Sequence, residues 1–363
     1  MKCRIKSGKP LILTIIKMNG IGGFFMEKNI EQKGRQSLAF HTPPYIMASA
    51  SVVGKKEGEG PLGNLFDMVG EDPMFGCESW EDAEGTLQKE ALTLAIGKSE
   101  IEKWQIRYIF AGDLLGQEMA SSFGLADMQI PLFGVYGACS TAGESISLAS
   151  LSVASGAADY VMAVTSSHFA SAEKQFRFPL AYGNQRPPSS TWTVTGSGAF
   201  VIGKDKGIAK VKGITTGKIV DYGIKDSMNM GACMAPAACD TIYNHFMDFE
   251  CDEKEYDQII TGDLGEVGYE ILIELMKDKG YDISKKLLDC GMMIFDKETQ
   301  GTNAGGSGCG CSATVLSALI LKNIKEGKWK KVLFVPTGAL LSPVSHNEGL
   351  SVPSIAHGVV LEG

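Results

Sequence analysis

The chain has 363 residues, 44% hydrophobic and 21% charged: an ordinary globular make-up, and too long for one small core. Its 34 basic and 42 acidic side chains leave a net charge of −8 without a long basic run, which argues against nucleic-acid binding. Nine cysteines, with no C-x-x-C pair and no His-paired zinc spacing, fit a reduced, intracellular compartment, and no apolar run is long enough to span a membrane.

Residues 1–25 are set aside as an extension outside the fold. Lys2, Arg4, Lys6 and Lys9 precede a short apolar run that Lys17 interrupts, and no small-residue cleavage site follows. Gly22-Gly23 is what a purine-rich ribosome-binding sequence would encode, which places the start of the working chain at Met26. Residues 44–53 read as a strand, 54–63 as a polar loop, and 80–96 as a helix with Ala83, Leu87, Ala91 and Leu94 in register. A buried strand over 106–111 ends in Gly112-Asp113-Leu114.

An apolar run over 130–136 then enters Gly137-Ala138-Cys139-Ser140-Thr141, and a small-residue helix over 140–155 leaves it. That helix has no Lys or Arg and small side chains on every face, so it is predicted to be buried. A cysteine at its first turn meets free backbone N–H groups and the positive end of the helix dipole, which lower a thiol's pKa. Cys139 is therefore either a nucleophile or a small apolar plug. A strand over 160–164 closes at Thr165-Ser166-Ser167-His168, residues 169–190 form a loop rich in aromatic and basic side chains, and 191–203 is a strand.

The order then recurs. A strand over 208–220 precedes a helix over 236–249 with Pro236 at its first turn. The strand 256–261 ends in Gly262-Asp263-Leu264, an echo of Gly112-Asp113-Leu114. A helix over 269–279 comes next. Gly310-Cys311-Ser312-Ala313 opens a helix to 326 as Ala138-Cys139-Ser140-Thr141 opens its own, and strands over 332–335 and 354–361 finish the chain. The expected division is 40–205 for one α/β half and 206–363 for the other, with the two small-residue helices together in the centre and Cys139 facing loops of the second half.

These residues resemble the thiolase and condensing-enzyme superfamily. Within it, Gly60-Pro61-Leu62-Gly63, Gly137-Ala138-Cys139-Ser140-Thr141, Val194-Thr195-Gly196-Ser197-Gly198, Met234-Ala235-Pro236, Ala304-Gly305-Gly306-Ser307-Gly308-Cys309 and Ile355-Ala356-His357-Gly358 are similar to the stage V sporulation protein AD family of spore-forming Firmicutes. The resemblance implies a five-layered αβαβα fold with two mixed five-stranded sheets, and a homodimer. It also implies a role in moving dipicolinic acid, free or as its calcium chelate, into the developing spore. Membrane proteins of the same operon would be partners, at the forespore inner membrane.

Acyl transfer in such a fold needs a base or oxyanion donor from the second half. Ser307 stands where thiolases carry a histidine, and the Gly262-Asp263-Leu264 turn also lacks one. Of the five histidines, His245 is expected at the surface, His346 in a polar loop, and His357 in a packing or hydrogen-bonding role. The expectation is a binding protein with Cys139 as a vestigial nucleophile and neither cofactor nor metal; the competing reading is an active condensing-type acyltransferase using Cys139. A planar dicarboxylate calls for helix N-termini, cationic donors and aromatic faces. The candidates are Cys139, Ser140, His168, Arg177, Gln185, Arg186, Asn303 and Ser307. The 169–190 loop is equally readable as a dimer contact or a lid, Asn303 and Ser307 as turn formers, and Cys309 and Cys311 as packing residues.

Overall fold

The computed structural model describes residues 28–176 and 185–363, so the expected extension over 1–25 and the candidate Arg177 lie outside the described residues. Ten strands build the core. β1 (Tyr45–Val53), β2 (Tyr108–Gly112), β3 (Leu132–Gly134), β4 (Tyr160–Ser167) and β5 (Gly196–Gly203) form one sheet in the order β1-β5-β4-β2-β3. β6 (Ala209–Thr215), β7 (Gln258–Thr261), β8 (Leu287–Asp289), β9 (Lys331–Val335) and β10 (Gly358–Glu362) form the other in the order β6-β10-β9-β7-β8. The strand order is the same in both, and so are the directions. β5 and β10 run antiparallel to both neighbours, and the remaining pairs are parallel. A short antiparallel contact joins the sheets edge to edge, with Ile46 opposite Ala209 and Tyr45 opposite Lys210.

Alternating side chains assign the layers. Helix α1 (Trp80–Ser99) covers the outer face of the first sheet, where Leu87, Ala91 and Leu92 meet Val52, Ile109 and Val164. Helix α2 (Thr141–Ala154) belongs to the central layer, and helix α3 (Phe169–Phe176) follows β4. Helices α4 (Met230–Phe249) and α5 (Gly265–Asp278) cover the outer face of the second sheet, where Ile242, Phe246 and Leu272 meet Leu333 and Val335. Helix α6 (Cys309–Val315) joins α2 between the sheets. There Ile146, Ala149, Ala313 and Val315 pack with Phe200, Val161, Val332 and Phe334. Within β9, Val332 and Phe334 face the centre while Leu333 and Val335 face outward. The architecture is the expected αβαβα stack on two mixed five-stranded frames; a hairpin of Ile30–Lys33 and Ser37–Phe40 adds to the second sheet beside β6, and Met68–Val69 adds to the first beside β1.

Glycines set how closely the central layer approaches. A Cβ on Gly310 of α6 would stand 2.2 Å from the Gly196 carbonyl oxygen, and one on Gly198 of β5 would stand 2.6 Å from the Ala313 backbone. No helix among the described residues is long and apolar enough to cross a membrane.

Several local expectations are corrected. The 169–190 loop begins with α3, whose Ser171 and Ala172 are buried. The expected strand 191–203 is split. Trp192–Thr193 pairs in parallel with Gly306–Ser307, and β5 starts at Gly196. Helix α4 starts six residues before Pro236, so that proline lies inside it; the Asn229 side chain, accepting from the Ala232 N–H, is the actual N-cap. His346 sits on a short helix, Pro343–Asn347. His245 is buried, not superficial. Its Nδ1 is 2.7 Å from the Thr215 hydroxyl and its Nε2 is 2.5 Å from that of Tyr256. Its charged neighbour Asp248 is engaged as well, accepting from the Arg35 and Gln36 backbone N–H groups at 3.1 and 3.0 Å.

Burial pushes the His245 imidazole down to about 3, so the fold holds it neutral. Its stabilising effect is complete above the ordinary histidine value and is lost as pH falls below it, by at most about 1.4 kcal/mol per pH unit. The wild-type advantage over His245→Gln in urea unfolding is therefore expected to shrink between about pH 7.5 and about pH 5. An advantage that stays constant across that window would show that the imidazole titrates alike in the folded and unfolded chain, and one that grows as pH falls would show it protonated in the fold.

Candidate functional site

The turn into α2 is held by its own side chains. Ser140 Oγ donates to the Gly137 carbonyl at 2.7 Å, Thr141 Oγ1 donates to that of Ala138 at 2.6 Å, and the Gly137 N–H donates to Thr141 Oγ1 at 3.0 Å. These bonds hold Ala138 at φ +52°, a left-handed conformation that costs an L-residue about 1 kcal/mol. The result is that Cys139 projects towards the second half from the first residues of the helix.

Two elements of the second half converge on the thiol. Ser307, just before α6, places its Oγ 3.9 Å from Cys139 Sγ. Asp263, just after β7, lies behind Ser307. Its carboxylate accepts from the Ser307 hydroxyl at 3.1 Å, the Gly308 N–H at 2.9 Å and the Thr337 hydroxyl at 2.9 Å. Burial pushes Asp263 up to about 7, opposed by hydrogen bonds from the Cys139 thiol, the Gly308 N–H and the Thr337 hydroxyl. Burial also pushes the Cys139 thiol well above its ordinary range; the Asp263 charge adds to that shift, and Ser307 opposes it. The helix terminus was expected to lower this thiol. With Cys139 only 5% exposed and a carboxylate beside it, desolvation and like charge win.

Asp263 is the site residue that sequence reasoning missed. In the sequence it stands out only as half of a repeat and as a place without histidine. The repeat itself was the usable signal. Its counterpart Asp113 is also fully buried, accepting from the Leu115 N–H at 2.8 Å and from the Ser121 N–H and hydroxyl at 2.8 and 2.7 Å. A carboxylate retained at both turns is a structural acceptor in one half and a neighbour of the thiol in the other.

A pocket opens from Cys139 and Ser307, with about 460 Å³ of empty space including its mouth. Leu114, Phe176, Met230 and Leu341 make it mainly apolar, and Thr193 and Glu173 add polar groups. Of the candidates, Cys139 and Ser307 line it together. Ser140 is spent on the turn. His168 is held against the backbone instead, with Nε2 2.8 Å from the Pro73 carbonyl and Nδ1 accepting the Ala170 N–H at 3.1 Å, so neither ring nitrogen is left for a ligand. Arg186 stands one shell back. It pairs with Glu173, donates to the Thr191 carbonyl at 2.8 Å, and lies 4.9 Å from the Trp192 ring centroid. Gln185 is exposed and does not line the pocket. Asn303, at φ +55°, donates to the Ser190 hydroxyl at 3.0 Å and shapes its own turn. His357 is buried and accepts from the Gly217 N–H at 3.3 Å. Cys309 and Cys311 point their thiols at the Ser166 and Gly262 carbonyls, 2.9 and 3.7 Å away. No group of metal-binding side chains occurs among the described residues.

The family model for Stage V sporulation protein AD matches residues 34–362. The Stage V sporulation protein AD of Bacillus subtilis (strain 168) is 43% identical over 329 residues, covering 91% of this chain and 97% of that protein. Among solved structures, 3-oxoacyl-[acyl-carrier-protein] synthase III from Aquifex aeolicus aligns over 88% of this chain and 100% of its own, with a TM-score of 0.55 and 12% identity. A variant of OleA from Xanthomonas campestris aligns over 92% and 100%, with a TM-score of 0.53 and 13% identity. At such identities these two likenesses are of fold alone.

The local electrostatics predict a sluggish thiol. Iodoacetamide is expected to modify Cys139 more slowly than the half-buried Cys77, as read by peptide mass spectrometry. Asp263→Asn removes the adjacent charge and is expected to speed modification of Cys139, by about tenfold for each unit its pKa falls. An unchanged rate would show that the carboxylate does not hold the thiol protonated.

Proposed function

Since the chain belongs to the Stage V sporulation protein AD family, we propose that it acts in spore formation as a binding protein for dipicolinic acid rather than as an efficient acyltransferase. On this reading it supports uptake of that ligand into the developing spore, working at the forespore inner membrane with membrane proteins of its operon. The observation that carries the proposal is the company Cys139 keeps: a hydroxyl and a buried carboxylate, with no imidazole among the described residues of the pocket wall. A general base contributes typically about a hundred- to ten-thousand-fold to such chemistry. The shift of the thiol also works against forming the nucleophile.

The wall chemistry favours one form of the ligand. Glu173 is the charged side chain among the described lining residues, and it is already ion-paired with Arg186. Free dipicolinate is a dianion at neutral pH, and burying it against such a wall is costly. The one-to-one calcium chelate carries no net charge, and its flat ring suits an apolar cleft. Calorimetry is expected to show heat for the chelate, less for free dipicolinate, and a loss of about tenfold or more in affinity for Leu341→Trp at the mouth. In parallel, acetyl-CoA is expected to leave no acyl adduct on Cys139 by mass spectrometry. Turnover through such an adduct would replace this proposal with an enzyme; absence of heat with both ligands at millimolar concentration would leave a structural subunit.

We propose further that the protein is a homodimer through the free edge of β3. Leu132 and Phe133 are 39% and 51% exposed there, on a strand that among the described residues has a neighbour on one side only. Unblunted apolar edges invite strand pairing. Light scattering is expected to give a dimer for the wild-type chain and a monomer for Phe133→Lys; a wild-type monomer would refute this.

A further inference from the structure

Two carboxylates stand beside the free edge of β3. Phe133 on that edge turns towards the central layer, stacked on Phe110 with ring centroids 5.2 Å apart. The chain then leaves β3 through Tyr136, 44% exposed, and enters α2, where Leu148 is 37% exposed. Leu148 lies one turn along α2 from Glu144, so both are on one face of the helix. The apolar surface of the edge thus continues on to α2, and Glu144 stands within it.

Glu144 Oε2 is buried without a hydrogen-bond partner among the described residues. A Cβ on Gly137 would come within 2.8 Å of it, and one on Gly134, the last residue of β3, would collide with Glu118 Oε2. Both carboxylates therefore lie against the same short stretch of backbone where it leaves the edge. A strained turn holds Glu118 there: Gln117 and Glu118, at φ +59° and +54°, are both left-handed without being glycine.

The elements packed around the pair bring it no cation among the described residues. The turn after β2 brings Asp113, a third carboxylate. The exit from β3 brings the Tyr136 phenol and the Cys139 thiol, both held protonated by burial. Helix α3 brings Gln175, 3.4 Å from where a Cβ on Gly116 would stand, and Lys174, which is already paired with Glu81 at 2.6 Å. His357 reaches α2 at Gly143, but burial pushes it down to about 4 and keeps it neutral. Burial pushes Glu118 up, and the charges of Asp113 and Glu144 add to that shift; burial pushes Glu144 up as well.

We propose that pairing of two copies through this edge is proton-linked: Glu118 and Glu144 are ionised in the separate chain and protonated in the dimer, which therefore tightens as pH falls. The inference rests on the homodimer reading above. A two-fold interface presents each group twice, so four carboxylates leave water together with no cation beside them among the described residues. Burying an unpaired charge is costly, and bringing like charges together adds to the cost; uptake of a proton removes both. The gain is complete below the pKa values of the separate chain and is lost as pH rises through those of the dimer. Within that window each proton taken up strengthens association about tenfold for every unit by which pH falls.

Sedimentation of the fluorescently labelled full chain, from nanomolar to micromolar concentration, reads the dimer dissociation constant. For the wild-type chain it is expected to fall about tenfold or more between about pH 8 and about pH 5.5. Glutamine has the shape of a protonated glutamate. Glu118→Gln/Glu144→Gln is therefore expected to pair about tenfold or more tightly than wild type at the upper pH and to change little across the window. Each single glutamine variant is expected to lose part of the slope, and circular dichroism checks that each variant is folded. A wild-type dissociation constant that does not move with pH, or a double variant that keeps the full wild-type slope, overturns the inference and leaves the dimer standing. A wild-type chain that stays monomeric at every pH overturns the homodimer reading and this inference with it.

Discussion

A single buried carboxylate ties the centre of the molecule together. Asp263 receives the Ser307 hydroxyl, the Gly308 N–H and the Thr337 hydroxyl, so the ends of β7 and β9 and the start of α6 meet at one acceptor. A buried acceptor of this kind is expensive to leave unmade, which fixes the local geometry more firmly than apolar packing would. The same group sits beside Cys139. Holding the second half in place and raising the Cys139 thiol are two effects of one group.

The duplication gives this arrangement its contrast. Both sheets have the same strand order, and both carry Gly-Asp-Leu after the equivalent strand. Asp113 closes a local turn with Leu115 and Ser121, whereas Asp263 reaches across to α6 and Thr337. The cysteines diverge similarly. Cys139 faces a pocket, whereas the Cys311 thiol is turned to the Gly262 carbonyl. One fold repeated twice thus supplies a site on one side of its centre and packing on the other.

The layered fold was readable because its signals are strong and local. Small-residue helices, β-branched strands and a repeated tripeptide all point the same way. What failed depended on partners distant in sequence. His245 has polar neighbours in the chain, but Thr215 and Tyr256, which meet its ring, lie on other elements. The shift at Cys139 was misjudged because a helix dipole can be inferred from the sequence, whereas the depth of burial and the approach of Asp263 cannot. His168 and Arg186 have the right chemistry for an anion, yet the backbone at Pro73 and the carboxylate of Glu173 claim them first.

The close approach of α6 to β5 bears on how this family can diversify. With Gly196 and Ala313 backbone atoms standing where any Cβ on Gly310 or Gly198 would go, those two positions tolerate no side chain unless the central layer parts from its sheet. Leu341 and Met230, at the pocket, face open space and are free of that restriction. Descendants of this chain should accordingly drift in what they recognise long before they drift in how their halves are held together.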